Sequence, residues 1–388
     1  MPLYSFTSTL YSINSYSFNV LWHAPKYGER VQRKAVLVIA VLAVVAVVAY
    51  FAFTSKSEGP VKLLGSGSTF VRPAMDVWIR EFTAKHSSIS IEYAGGGSGK
   101  GLSDFFGKLV DFACSDPPLP KDKWEKHRGK VLQFPVVLGA IVIVYNVPEI
   151  GNVHLNLTGE VLAKIYLGEI KYWDDPEIKK LNPAVAQKLP HREIIAVHRS
   201  DSSGSTQVFT LFLAKTYPRW KQVVGVGKTV EWPVDKIGRG IGAKGNPGVV
   251  QAIKTTPYSI GYVELAYALS NNLPYARIQN PLGEFVLATP QSISRAAKIG
   301  KAPSPLDDWT DISYNMVYAN VENAYPITSP TYMIVWKKIP DKNKCKALKE
   351  FIQFIGTEGQ TLLPEGYAPL SQELKDVVVK AANLLECS

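Results

Sequence analysis

Short apolar runs, each followed by a turn of small polar residues and then by a helical pattern, recur along the chain. Residues 194–197 are apolar and predict a strand, and the apolar positions in 207–213 predict a helix. The turn between them contains an arginine, an aspartate, a glycine and several serines. A helix N-terminus exposes unpaired N–H groups, and small residues let an anion approach them. This turn therefore predicts an anion site, with a simple helix cap as the alternative.

The same order of strand, turn and helix occurs twice in the first part of the chain. Residues 61–85 and 89–109 each begin with an apolar run and pass through a turn rich in glycine and serine. A further strand at 110–115 ends at Asp116, where two prolines stop it. Ligands of α/β sheets bind at the strand ends along one edge. We therefore expect these turns and the turn after residue 197 to lie together.

The longest apolar run predicted as a strand is rich in β-branched residues. It covers residues 136–146 and predicts a buried strand that crosses into a second domain, while residues 325–336 predict the strand that returns. A chain of 388 residues is long enough for two domains with separate cores.

The composition indicates a globular body and argues against nucleic-acid binding. The hydrophobic fraction is 46%, and the net charge of +10 is not concentrated in a basic run with interleaved aromatic residues. The three cysteines and six histidines lack metal-ligand spacing, so we predict neither a metal site nor a cofactor. Cys345 and Cys387 are candidates for a disulfide, which the sequence leaves open.

An uncharged apolar segment near the N-terminus predicts a membrane span. Residues 35–53 would form a helix roughly 28 Å long, which matches the hydrocarbon core of a bilayer. Arg30, Arg33 and Lys34 precede it and only Lys56 follows it closely, so the positive-inside rule places the body of the protein outside the cell. An uncleaved anchor is the favoured interpretation, and a cleaved signal that releases a secreted protein is the alternative.

Two patterns of catalytic or nucleotide-binding interest have weak support. Residues 240–245 match G-x-G-x-x-G, but no clear strand precedes them, as a dinucleotide site requires. His198 lies close enough in sequence to serve as a base for Ser203, although a position at a strand end explains it as well. No serine lies in a G-x-S-x-G turn, and we predict no catalytic residue.

Seven sequence blocks together resemble the phosphate-binding proteins of ABC-type phosphate importers. They are GSGSTF at 65–70, GS at 97–98, ACSD at 113–116, YLGEIKYWDD at 166–175, RSDSSGS at 199–205, IGYVE at 260–264 and PITS at 326–329. The blocks stand in the order of that family and extend over about residues 61–370. The resemblance implies an α/β, two-domain periplasmic-binding-protein fold with a cleft between the domains. The apolar segment described above adds the expectation of one N-terminal transmembrane helix before this fold.

The resemblance also implies a set of phosphate-binding residues. They are Thr69, Phe70, Ser98, Asp116, Arg199, Asp201, Ser203, Gly204 and Ser205. Ser205 stands where the family usually has threonine, and Cys114 stands where it usually has a smaller residue. Gly99 and Lys100 replace a smaller and more neutral pair, so Lys100 either approaches the anion or points to solvent.

The expected function follows from the same resemblance. We expect high-affinity binding of inorganic phosphate outside the cell and delivery to the permease and ATPase subunits of an ABC importer. Binding of another oxyanion, such as sulfate or molybdate, is the main alternative, and a phosphatase-like enzyme or an adhesive surface protein is less favoured. The expected organisation is a cytoplasmic tail or misplaced start at 1–34, an anchor or signal at 35–54, a linker at 55–60, domain I at 61–139 and 326–388, and domain II at 140–325.

Overall fold

A computed structural model describes residues 36–47, 60–298 and 300–388. The chain divides into two compact units, Met1–Glu58 and Gly59–Ser388. In the first unit, residues 36–47 form a helix, α1, whose large apolar side chains are exposed. Within the described ranges, no helix is both long enough and apolar enough to cross a bilayer. The predicted tail at 1–34 and most of the predicted linker at 55–60 lie outside the described residues, as does part of the predicted anchor at 35–54.

The second unit is built on one mixed sheet of eight strands. Its strands are ordered β2-β1-β3-β11-β4-β8-β6-β7, beside a three-stranded sheet β10-β9-β5 and the pair β12-β13. The strands are β1 (Val61–Gly67), β2 (Ile89–Gly95), β3 (Phe112–Ser115), β4 (Val131–Tyr145), β5 (Asn156–Leu157), β6 (Ile195–Arg199), β7 (Gly240–Ala243), β8 (Ser259–Glu264), β9 (Arg277–Gln279), β10 (Phe285–Val286), β11 (Thr328–Trp336), β12 (Lys338–Ile339) and β13 (Glu386–Cys387).

Helices of the second unit connect these strands. They are α2 (Arg72–Lys85), α3 (Ser98–Phe106), α4 (Lys121–Lys126), α5 (Gly159–Leu167), α6 (Pro176–Leu181), α7 (Gly204–Thr216), α8 (Pro218–Val223), α9 (Pro233–Lys236), α10 (Gly245–Thr255), α11 (Leu265–Ser270), α12 (Pro290–Ala296), α13 (Thr310–Met316), α14 (Lys342–Gly356) and α15 (Gln372–Asn383), with 3₁₀ turns at Pro148–Ile150 and Glu358–Thr361. Strand β1 pairs parallel with β2 and β3, and β6 pairs parallel with β7 and β8. Each parallel group therefore places the turns that follow its strands along one edge.

The long strand β4 connects the two parallel groups. All of its residues are buried, which explains its nearly continuous apolar sequence. Residues 131–140 lie beside β11, whereas residues 141–145 pair with β8. This change of neighbour falls between residues 140 and 141, one residue from the predicted boundary at 139/140. Since residues 59–388 form one compact unit, the division into two domains stays a prediction.

The C-terminal segment is fastened covalently. Cys345 in α14 is bonded to Cys387 in β13, so the pairing that the sequence left open is present in the structure. The third cysteine, Cys114, is buried in β3 with a free thiol, as expected for a packing residue.

Candidate functional site

The turn between β1 and α2 is shaped by a glycine in a left-handed conformation. Gly67 has φ +138°, and a Cβ on it would lie 2.1 Å from the carbonyl oxygen of Cys114, so no larger residue fits. The next residue, Ser68, accepts a hydrogen bond from the amide of Phe70 at 2.9 Å. Its hydroxyl donates to Asp116 Oδ1 at 2.6 Å. The turn therefore positions the Thr69–Phe70 pair beside the carboxylate.

Asp116 is the buried carboxylate of the site. It is 1% exposed, and Oδ1 accepts hydrogen bonds from the hydroxyls of Ser68 and Thr331, at 2.6 and 2.9 Å. Its amide donates to Ser98 Oγ at 3.2 Å. Burial raises the pKa of Asp116 to about 6, although the two hydroxyl donors and the positive charge of Arg199 act in the opposite direction. At neutral pH the group is therefore largely ionised and able to accept a proton in a hydrogen bond.

Arg199 and Asp201 form a buried ion pair at the end of β6. Arg199 Nε and Nη2 donate to the two oxygens of Asp201 at 2.7 and 2.5 Å. Asp201 also accepts from the amide of Gly245 at 2.9 Å, which ties the pair to the start of α10. Burial alone would raise the pKa of Asp201, but the bond and charge of Arg199 outweigh it and lower that pKa. The pair fixes the guanidinium in one orientation.

Small residues form the start of α7, where a helix has unpaired backbone hydrogen-bond donors. Ser203 is the N-cap, and its Oγ accepts from the amide of Thr206 at 3.1 Å. Gly204 is the first residue of the helix, and the hydroxyl of Ser205 is buried with no hydrogen-bond partner among the described residues. An unpaired buried hydroxyl at the positive end of a helix is unfavourable unless a ligand satisfies it.

The turns from the two parallel groups of strands meet. A Cβ on Gly204 would lie 2.3 Å from Ser98 Oγ and 2.5 Å from Asp116 Oδ2. The amide of Gly99 donates to the carbonyl of Ser202 at 2.9 Å. The structure therefore brings the predicted residues together in a closed arrangement; these are Thr69, Phe70, Ser98, Asp116, Arg199, Asp201, Ser203, Gly204 and Ser205.

Three residues that make contacts at the site were not found from the sequence. Thr331 in β11 donates to Asp116, as described above. Asn246 in α10 donates from its backbone and its side chain to Thr69 Oγ1, at 3.1 and 3.0 Å. Lys228 accepts a hydrogen bond from the amide of Ser203 through its own carbonyl at 2.9 Å. Asn246 directly follows the G-x-G-x-x-G match at 240–245, which was too weak to predict a site.

Two residues considered from the sequence have other partners. Lys100 donates to Asp104 one turn further along α3, so it does not stand unpaired toward the anion. His198 hydrogen bonds with Asp235 through Nε2 at 2.8 Å and stacks on Trp232, which makes it a structural residue and not a base for Ser203. Among the described residues, no group of histidine, cysteine and acidic side chains is arranged to hold a metal ion.

Comparison with known proteins places the chain in a class and then in a family. Residues 54–358 match a model of the PBP superfamily domain. The chain is 42% identical over 345 residues to the phosphate-binding protein PstS of Methanocaldococcus jannaschii, covering 86% of this chain and 89% of that protein. It is 36% identical to PstS of Pasteurella multocida, covering 84% and 90%.

A solved structure shows the same fold at low sequence identity. An ancestral soluble variant of the human phosphate-binding protein superposes with a TM-score of 0.66 at 18% identity, covering 84% of this chain and 99% of that one. The chain has the α/β fold of the PBP superfamily and belongs, within it, to the family of the phosphate-binding proteins PstS.

Proposed function

We propose that this protein binds inorganic phosphate outside the cell and delivers it to an ABC-type phosphate importer. One observation carries the proposal: a buried carboxylate, Asp116, faces the donors at the start of α7, where the hydroxyl of Ser205 has no partner in the part of the chain that the structure describes. Relatives that share more than a third of its sequence are named phosphate-binding proteins. The protein is a binding protein and not an enzyme.

The chemistry of Asp116 selects an anion that still carries a proton. Phosphate near neutral pH has at least one O–H group, which can donate to the carboxylate, whereas sulfate has none. Against sulfate, the ionised Asp116 would face an oxygen that has no hydrogen to give, and an unpaired buried charge costs several kcal/mol. Phosphate is therefore favoured over sulfate or molybdate, although the remaining donors suit each of these anions.

The other residues bind and orient the ion. The hydroxyls of Thr69, Ser98 and Ser205 and the amides at the start of α7 donate to its oxygens. Arg199, held by Asp201, supplies a positive charge. With net contributions of about 1 kcal/mol for each hydrogen bond, and after the cost of closure, a Kd near or below ~1 μM is expected.

Closure of the cleft is the signal that the transporter would recognise. The groups that converge on the site come from 61–139 with 326–388 and from 140–325, which we propose as the two domains. Contacts such as Gly99 to Ser202 would form only when the two halves approach. The permease and ATPase subunits of the importer would then receive a closed, loaded protein.

The place of the protein at the cell surface depends on its N-terminal segment. We propose that residues 35–54 anchor the chain in the membrane, with the binding unit on the outer face. An anchor would keep the protein near the permease and raise its effective concentration there. Cleavage of the segment would instead give a secreted protein.

Isothermal titration of the purified chain with phosphate and with sulfate tests the proposal. We expect a micromolar or tighter Kd for phosphate and no measurable binding of sulfate at the same concentrations. Asp116→Asn should weaken the rejection of sulfate more than it weakens phosphate binding, because an amide can donate to a sulfate oxygen. Wild-type protein that binds sulfate or molybdate more tightly than phosphate would disprove the assignment.

A further inference from the structure

Lys228 lies beside the anion site although it is distant from it in sequence. It belongs to the loop between α8 and α9, and its carbonyl accepts from the amide of Ser203, the N-cap of α7. The preceding residue, Gly227, donates to Thr210 Oγ1 inside α7 at 3.3 Å. Two hydrogen bonds therefore fasten this loop against the helix whose N-terminus faces the anion.

Lys228 is half-buried at the point where its backbone contacts the N-cap of α7. Burial raises the pKa of Asp116, and the positive charge of Lys228 acts on that pKa in the opposite direction. Among the described residues, no carboxylate oxygen within 4.0 Å is paired with its Nζ, in contrast with Lys100. Lys228 therefore brings a positive charge to the site that is not already neutralised by a close ion pair.

The charge balance of the site depends on this lysine. Asp116 and Asp201 are two carboxylates, and Arg199, already paired with Asp201, is one guanidinium, which leaves one net negative charge facing an incoming anion. A phosphate dianion would enter against that charge. With Lys228 protonated, two cations face two carboxylates, and the site becomes neutral before the anion arrives.

We propose that Lys228 is a cationic residue of the phosphate site, and that its protonated form is required for tight binding of the phosphate dianion. This inference rests on the proposed function. It adds a residue that the resemblance to the family did not supply, and it predicts how phosphate binding by this protein depends on pH.

The expected pH dependence follows from proton linkage. Burial lowers the pKa of Lys228 to about 8, although Asp116 acts to raise it. A bound dianion favours the protonated lysine, so above pH 8 binding must be accompanied by proton uptake and affinity must fall. Phosphate is almost entirely the dianion there. Burial raises the pKa of the neighbouring Tyr262 to about 12, so this phenol does not account for the change.

Calorimetric titration of the full chain with inorganic phosphate at pH 7.5 and pH 9.5 tests the inference. We expect wild-type affinity to be lower at pH 9.5 than at pH 7.5, with a limiting slope of about tenfold for each pH unit above the pKa of Lys228 in the ligand-free protein. Lys228→Gln should bind phosphate roughly tenfold to a hundredfold more weakly at pH 7.5 and lose most of the pH dependence. Lys228→Arg should retain affinity at both pH values, because a guanidinium stays protonated. Lys221→Gln, which removes an exposed lysine from α8, is the matched control and should resemble the wild type.

Proton uptake gives an independent measurement. Titrations at pH 8.5 in buffers of different ionisation enthalpy should show uptake of protons by the wild type and almost none by Lys228→Gln or Lys228→Arg. Wild-type affinity and an unchanged pH profile in Lys228→Gln would overturn the inference while leaving the proposed function intact. Equal loss of binding in the Gln and Arg variants would also overturn it, because the charge would then not be the property that matters. Absence of phosphate binding by the wild type would instead reject the proposed function itself.

Discussion

Substitution of Gly204 by alanine tests whether the site works by closure. Gly204 begins α7, and in the closed structure a Cβ on it would lie 2.3 Å from Ser98 Oγ, 2.5 Å from Asp116 Oδ2 and 2.8 Å from Pro117 Cδ. Ordinary contacts at such atoms lie near 3.5 Å, so the two sides of the cleft would have to part by roughly 1 Å. Ser98 and Asp116 have little freedom to move, because each is buried and hydrogen bonded.

The magnitude follows from the usual cost of an extra methyl group in a packed interior. That cost is about 1–3 kcal/mol, and here it would be felt mainly in the closed, phosphate-bound form. Phosphate binding by Gly204→Ala should therefore be roughly 5- to 150-fold weaker than wild type. The free energy of unfolding of the ligand-free protein should change by less than about 1 kcal/mol.

The assay is calorimetric titration with phosphate, together with urea unfolding in its absence. Gly248→Ala is the matched control, because Gly248 lies inside α10 and a Cβ there would have its nearest neighbour at 3.4 Å, an ordinary contact. The control should keep wild-type affinity. Wild-type affinity in Gly204→Ala would refute the closed geometry as the phosphate-bound form.

Three further predictions concern other parts of the structure. Burial raises the pKa of Asp116 to about 6 in the folded protein, so ionisation of this group lowers the free energy of unfolding as the pH rises from about 4 to 6. Asp116→Asn should therefore be more stable than the ligand-free wild type at pH 7.5 by up to about 3 kcal/mol, with little difference at pH 4. Urea unfolding at the two pH values measures this difference. Asn246→Ala removes the amide donor to Thr69 and should weaken phosphate binding severalfold without a change in selectivity against sulfate, as measured by titration with both anions. Replacing both Cys345 and Cys387 by serine removes a disulfide that closes a loop with a sequence separation of 42. This change should lower the free energy of unfolding by about 4 kcal/mol. Unchanged stability in that variant would show that the disulfide does not constrain the unfolded chain.

The turns of the site could be predicted from the sequence because their chemistry is local. A strand that ends in glycine and serine before a helix exposes backbone donors whatever the rest of the chain does. The turns before α2, α3 and α7 follow this rule, and the structure places them side by side. Register and long-range pairing carry no such local signature. Thr331 reaches Asp116 across a sequence separation of 215, and Asn246 reaches Thr69 across 177.

The long strand was predicted too short for a physical reason. The apolar pattern placed its start at residue 136, whereas β4 begins at Val131. Gln133 and Pro135 interrupt the apolar run, and both are unusual in a central strand. Gln133 is accommodated because its side chain is satisfied at both ends: it accepts from the amide of Leu119 at 3.0 Å and donates to the carbonyl of Asp307 at 3.1 Å. A buried polar side chain with partners from distant segments cannot be distinguished in the sequence from a turn residue.

Two lysines show what decides whether a basic residue acts on a bound anion. Lys100 follows Ser98 closely in sequence, yet Asp104 lies one helical turn further on and pairs with it, so its charge is neutralised locally. Lys228 is distant in sequence from the predicted site residues, but its carbonyl accepts a hydrogen bond from the amide of Ser203. Burial lowers the pKa of Lys228, and the charge of Asp116 acts on that pKa in the opposite direction. A cation that no nearby carboxylate neutralises exerts its charge on the other groups that the fold places close to it. These two lysines therefore differ in whether an acidic partner lies close to them, and not in their distance along the chain from the site residues.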